Sequence, residues 1–149
     1  MTHVRMSDHF DAPIERVFDL ALDFMRYPEW NVNYVEVKEI TGPTDRLGTR
    51  IHATLKMAGR LLDSWTEIKE IERPTHIRFE GLTSGSLDYR FTPDGTGTKA
   101  EFEFDYELSP GILSQIADRV FIERAVERDL RHSLDNWKAF LAAHAPVLA

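Results

Sequence analysis

The sequence contains no cysteine. That excludes disulfide staples, thiolate nucleophiles and cysteine-ligated zinc or iron–sulfur centres, and it fits a reducing compartment. Long apolar runs are also missing. The uninterrupted ones are only a few residues, far short of the roughly 20 that a bilayer-spanning helix needs, so a soluble protein without stable membrane insertion is expected. Met1 to Phe10 carries Thr2, His3, Arg5, Ser7 and Asp8 and lacks the apolar core of a secretory signal. The expected compartment is therefore cytoplasmic. Basic charge is the minority sign: 18 Lys and Arg against 25 Asp and Glu give a net charge of −7, and the basic residues are scattered. No nucleic acid partner is expected.

The motifs of several chemistries are absent as well. There is no G-x-S-x-G, no Walker loop and no G-x-G-x-x-G opening a helix after a strand. His3, His9, His52, His76, His132 and His144 show no metal-ligand spacing such as H-E-x-x-H. Neither a metal nor another cofactor is expected.

What is present is one domain's worth of chain. At 149 residues a single core buries roughly 68–70% of the unfolded surface without staples, and residues 1–149 are read as one domain. Val4, Met6 and Phe10 alternate along a first strand from His3 to Asp11. Asp11 is the expected N-cap of a helix with Pro13 in its first turn, because Ile14, Val17, Phe18, Ala21 and Leu22 recur at three-to-four spacing. Phe24, Met25, Tyr27 and Trp30 around Pro28 predict a second short helix.

A meander follows. Strands are predicted over Tyr34–Thr41, Gly48–Met57, Leu61–Glu72, His76–Thr83, Ser86–Thr92 and Lys99–Leu108. Turns are placed at Gly42-Pro43, Ala58-Gly59, Arg73-Pro74, Ser84-Gly85 and Asp94 to Gly97. The last strand alternates Ala100, Phe102, Phe104, Tyr106 and Leu108 with Glu101, Glu103, Asp105 and Glu107, so one face is buried and the other acidic. Ser109-Pro110 opens a long helix running to about His144. Its stripe of Ile112, Ile116, Val120, Leu130, Leu134, Trp137 and Leu141 is interrupted by Glu123, Arg124 and Glu127.

This order of elements resembles the START-like superfamily, SRPBCC, and within it the polyketide cyclase/dehydrase family. The local matches are Ala12 to Phe18 at the start of the first helix, Tyr27-Pro28-Glu29-Trp30-Asn31, Leu47-Gly48-Thr49, and Gly95-Thr96-Gly97-Thr98 before the last strand. The likeness spans roughly residues 4 to 145. It implies an α+β helix-grip fold: a curved antiparallel sheet of about seven strands around a long C-terminal helix, with two short helices after the first strand. It implies no shared catalytic set, because the superfamily covers lipid carriers, aromatases, cyclases, stress sensors and binding proteins.

If the sheet wraps the helix, its buried faces line an apolar cavity suited to a hydrophobic ligand; the alternative is a solid core. The candidate ligand-binding residues are Trp30, Ile51, Ala53, Leu55, Trp65, Phe79, Tyr89, Phe102, Phe104, Tyr106, Val120 and Arg124. Tyr89 and Tyr106 lie in buried registers and either hold a ligand or reach the rim. Neither face of the Trp65 strand is cleanly apolar, since Asp63, Trp65 and Glu67 alternate with Leu62, Ser64, Thr66 and Ile68. An inward Trp65 would carry Asp63 and Glu67 into the cavity, where burial raises a carboxyl pKa and permits acid/base work. His52 is expected on the outer face beside Arg50 and Thr54. Glu123, Arg124 and Glu127 form either a polar patch at the cavity mouth, where Arg124 meets an acidic ligand end, or an intrahelical network with Arg128 and Arg131.

Two functions follow. One is binding or carriage of a small hydrophobic molecule such as an aromatic polyketide, a lipid or a quinone. The other is an enzyme of the cyclase, aromatase or dehydratase kind, with Tyr106, Asp63 or Glu67 moving protons. A third, a ligand-gated regulatory domain, requires an exposed apolar patch that no element shows plainly. The direction of Trp65 separates the first two.

Overall fold

In the last strand, Gly97–Tyr106, the period-2 pattern becomes two faces: Ala100, Phe102 and Tyr106 are buried while Lys99 and Glu101 are exposed. The computed structural model describes residues 2–57, 59–81, 85–106 and 119–143. In chain order these form β1 (Thr2–Phe10), α1 (Ile14–Leu22), a 3-10 turn (Phe24–Arg26) and α2 (Tyr27–Trp30). Then come β2 (Tyr34–Ile40), β3 (Arg50–Met57), β4 (Arg60–Glu72), β5 (His76–Gly81), β6 (Gly85–Asp94), β7 (Gly97–Tyr106) and α3 (Arg119–Ala143). The expected starts of the long helix at Ser109-Pro110 and of its stripe at Ile112 and Ile116 lie outside the described residues, as do Ala58, Ser84 and Leu108.

The seven strands make one antiparallel sheet in the order β1-β7-β6-β5-β4-β3-β2. From β2 to β7 each strand pairs with its successor, and β1 pairs with β7, Val4 opposite Phe104 and Phe10 opposite Thr98. At that last contact only glycine fits. A Cβ on Gly97 would lie 2.3 Å from the Phe10 carbonyl oxygen, closer than any side chain tolerates.

α1 buries Val17, Phe18, Leu20, Ala21 and Leu22, and Phe18 meets Phe91 edge-on at 6.3 Å. Its N-cap is Pro13 in an extended conformation without a side-chain cap. Asp11, the expected cap, instead lies 3.0 Å from His9 Nε2. α3 packs through Leu134, Trp137 and Leu141, with Trp137 fully buried. Its indole touches Phe10, Tyr89 and Phe102 and stacks on Trp30 at 4.6 Å. Polar clasps fix the helix to the α2 region: the Val32 amide donates to Ser133 Oγ at 3.0 Å, and Asn136 Nδ2 donates to the Trp30 carbonyl at 3.2 Å.

The basic residues of α3 find partners on and off the helix. Arg131 and Lys138 reach across to Asp8 of β1, at 2.9 and 2.7 Å, and Arg128 lies 3.7 Å from Asp129. Burial acts to raise the Asp8 carboxyl, but the Lys138 hydrogen bond, the His9 amide and both cations outweigh it and hold it below its usual range. The inter-element partner wins because it lets two cations share one half-buried carboxylate.

The core has two parts. A large aromatic cluster runs from Phe10 and Phe18 through Phe24, Tyr27 and Trp30 to Phe91 and Trp137. A smaller one joins Val4, Tyr106, Ile122 and Val126. No helix among the described residues is long and apolar enough to cross a membrane.

Candidate functional site

The space between the two clusters is not completely filled. A cavity of about 100 Å³ adjoins one of about 40 Å³, and Asn31, Leu87, Phe104 and Leu130 are walls of both. Phe24, Tyr27, Leu55, Phe79 and Val126 close the larger one; Trp30, Tyr89, Phe102 and Trp137 close the smaller. The sheet supplies one side and α2 and α3 the other. An interior packed everywhere at crystal density would leave no such space.

The register of β3 on β4 decides what faces in. Ala53 pairs with Ser64 and Ile51 with Thr66, whereas His52 pairs with Trp65. Directly opposed residues share a face, so Ser64 and Thr66 point into the cavity, where they are walls, and Trp65 points out. Its indole lies flat against the His52 ring on the outer face.

Asp63 and Glu67 follow Trp65 outward. Asp63 is 61% exposed and lies 2.6 Å from His52 Nε2. Glu67 pairs with Lys69 and, at 3.0 Å, with Arg50. Those two partners, Lys69 first, hold its carboxyl below the usual range, the opposite of the upward shift that a cavity would impose. The placement of Trp65, Asp63 and Glu67 at the site is thus corrected: none of the three reaches the cavity, because the period of two carries them all to one face.

Three other candidates are displaced. Tyr106 is buried in the smaller cluster, stacked on Phe104 at 5.1 Å, and is a wall of neither cavity. Val120 is 53% exposed and Arg124 is also exposed, so neither meets the ligand space; residues 120 and 124 share a side of the helix that Ile122, Ala125 and Val126 do not. Ile51 and Ala53 face inward but pack as core beside the cavity. Trp30, Leu55, Phe79, Tyr89, Phe102 and Phe104 do line it.

Sequence reasoning missed the phenol group at the centre. Tyr27 stacks on Phe24 at 4.4 Å and meets Tyr34 at 5.0 Å, and its hydroxyl donates to the Ala21 carbonyl. Burial raises the Tyr27 phenol well above its ordinary value, with the neighbouring Tyr89 and Tyr34 adding to it. Burial also raises Tyr89 and pushes Tyr34 up to about 12, the adjacent Thr66 hydroxyl pulling the other way. All three phenols therefore keep their protons at neutral pH. The signal available was the run Tyr27, Trp30, Tyr34, aromatics three and four apart.

Among the described residues, no Asp, Glu, His, Lys or Arg lines either cavity. On the outer face the strand registers gather Glu70, His76 and Asp88, one ligand-type atom of each lying within 4.8 Å of the others. Arg78 and Arg90 already stand 3.6 and 3.3 Å from the Asp88 carboxylate. The cluster is thus a charge-compensated ion-pair group, assembled by pairing across strands rather than by spacing along one.

A seven-stranded open antiparallel sheet holding one long C-terminal helix over an apolar cavity defines the helix-grip, START-like class. Within that class the chain belongs to the family described as polyketide cyclase/dehydrase and lipid transport, whose model matches residues 1–142. Among solved structures, the protein TTHA0849 from Thermus thermophilus is similar with a TM-score of 0.81 and 20% identity, over 97% of this chain and 100% of that one. The Zhui aromatase/cyclase from a Streptomyces species gives 0.76 and 15%, over 98% and 96%. A START superfamily protein from Mycobacterium smegmatis gives 0.76 and 13%, over 95% and 97%. At these identities the likeness concerns the fold. No curated protein matches the chain in sequence.

Proposed function

We infer that this protein binds or carries a small hydrophobic molecule in the cavity between the sheet and α3. One observation carries the reading: among the described residues the walls are aromatic and aliphatic, with only hydroxyl and amide groups among them and no ionisable side chain other than phenols held protonated. Such a surface rewards burial of apolar area at roughly 25 cal/mol per Å² and offers a few hydrogen bonds for orientation. An aromatic polyketide, a quinone or a lipid would place about one ring, or the start of its chain, in a space of about 100 Å³; an engineered apolar cavity of about 150 Å³ is known to take benzene.

The alternative, a cyclase, aromatase or dehydratase, is favoured by the family's description. It requires a group that takes a proton near neutral pH, and the protonated phenols of Tyr27, Tyr34 and Tyr89 donate and accept hydrogen bonds there without taking up a proton. Native mass spectrometry of the protein purified from its own organism, followed by denaturing release, tests the binding reading. A stoichiometric apolar molecule is expected. A protein that emerges empty and also fails to take up added aromatic probes would overturn it.

A further inference from the structure

The buried polar groups of this fold mostly have partners within it. Tyr27 donates to Ala21, Thr98 Oγ1 to the Ala12 carbonyl, Thr49 Oγ1 to the Pro43 carbonyl, and His76 pairs with Asp88. Ser64 does not. It lies in mid-β4, is 4% exposed, faces the larger cavity, and its hydroxyl makes no hydrogen bond to any described residue. A buried hydroxyl left unpaired is destabilising by about 1–3 kcal/mol, and alanine or valine would hold the strand without it.

Ser64 also has company. Thr66 stands two residues along on the same face, beside the Tyr34 hydroxyl, and both are cavity walls. Three hydroxyl-bearing walls thus lie near one another on one side of a space whose other polar walls include Asn31, Asn33 and Ser86. None of them brings charge, and no cation lines the cavity among the described residues. A carboxylate or phosphate entering there would exchange its hydration for a few neutral hydroxyl and amide donors, with no cation among the described walls to offset its charge.

Resting on the binding reading above, the geometry points to a neutral, oxygen-bearing ligand: a phenol, ketone or quinone whose hydroxyl or carbonyl oxygen sits on Ser64, Thr66 and Tyr34, with its apolar body against Phe79, Leu87 and Phe104. Pure hydrocarbons and fatty-acid anions are selected against, the former for lack of a partner to Ser64, the latter by charge.

The test uses four single-ring probes of one shape, toluene, p-cresol, p-methylacetophenone and p-toluate, titrated into the full chain and followed by NMR. The expected result is that p-cresol and p-methylacetophenone bind at least about threefold tighter than toluene, with p-toluate the weakest. In a folded Ser64→Ala variant the ratio of p-cresol to toluene affinity falls. Toluene equalling or beating p-cresol overturns the inference while leaving the binding reading intact, because a cavity without a hydrogen-bonding partner penalises the dehydrated hydroxyl. Tightest binding by p-toluate overturns it as well. If none of the four binds, the binding reading fails and this inference fails with it.

Discussion

The imidazole of His52 lies on the indole of Trp65 with ring centroids 4.4 Å apart and planes 4° apart, on the face of the sheet turned away from α3. That stack fixes the direction of β4. With Trp65 outside, Asp63 and Glu67 are outside too, and the inner face presents Ser64, Thr66 and Ile68.

Asp63→Asn and Glu67→Gln should therefore leave ligand affinity unchanged within about twofold, since neither touches the cavity. The exposed Asp63 pair should contribute little to the melting temperature, whereas loss of the Glu67 carboxylate, less exposed and shared by Arg50 and Lys69, should cost somewhat more. Titration of the two variants with p-cresol checks this. Loss of binding in either would place a carboxylate at the site after all.

Leu55→Trp should fill the larger cavity. The residue is half-buried and a cavity wall, so a bulkier ring occupies ligand space and affinity should fall by about tenfold or more. Overpacking should cost about 1–3 kcal/mol, with the far-UV circular dichroism retained. Chemical denaturation and probe titration on the same sample separate the two effects.

Trp137 is fully buried where α3 meets the sheet. Trp137→Ala should destabilise the fold by about 3–5 kcal/mol, measured by chemical denaturation. Trp137→Phe should cost much less. Among the described residues the indole nitrogens of Trp137 and Trp30 have no hydrogen-bond partner, so no such bond is lost with the Trp137 nitrogen, and a phenyl ring keeps most of the contact with Phe10, Tyr89 and Phe102.

Tyr34 gives a pH dependence whose sign is fixed. Its phenol is raised from 10.0 to about 12 in the fold, so folding favours the protonated form. The contribution is fully present below pH 10, where both states are protonated, and is lost as the pH rises toward 12. The loss should be on the order of 2–3 kcal/mol. Denaturation free energies measured across that alkaline range should fall, and tyrosinate absorbance should lag behind that of the unfolded chain.

The sequence made the sheet legible because most strands have one polar and one apolar face: in β7 the acids at 101, 103 and 105 leave Phe102 and Tyr106 a single direction to point. β4 was not legible for the same reason reversed. Its inner face carries the hydroxyls of Ser64 and Thr66 at the cavity wall, and its outer face carries Trp65 under the His52 ring, so hydropathy alone favoured neither register. The helix misled differently. A stripe drawn from Ile116 to Val120 ends on the exposed side, while Ile122, Ala125 and Val126 carry the buried face of α3. The charge cluster of Glu70, His76 and Asp88 exists only through strand pairing, to which spacing along the chain is blind.

The cavity between the sheet and α3 as the ligand site is tested most directly by two-dimensional NMR of the three tryptophan indoles during titration with p-cresol. Trp30 and Trp137 are walls of the smaller cavity and Trp65 lies outside, so the signals of the first two should move together and saturate while that of Trp65 stays. A saturable shift of Trp65 with Trp30 and Trp137 unmoved would contradict the account, placing the binding surface on the other side of the sheet.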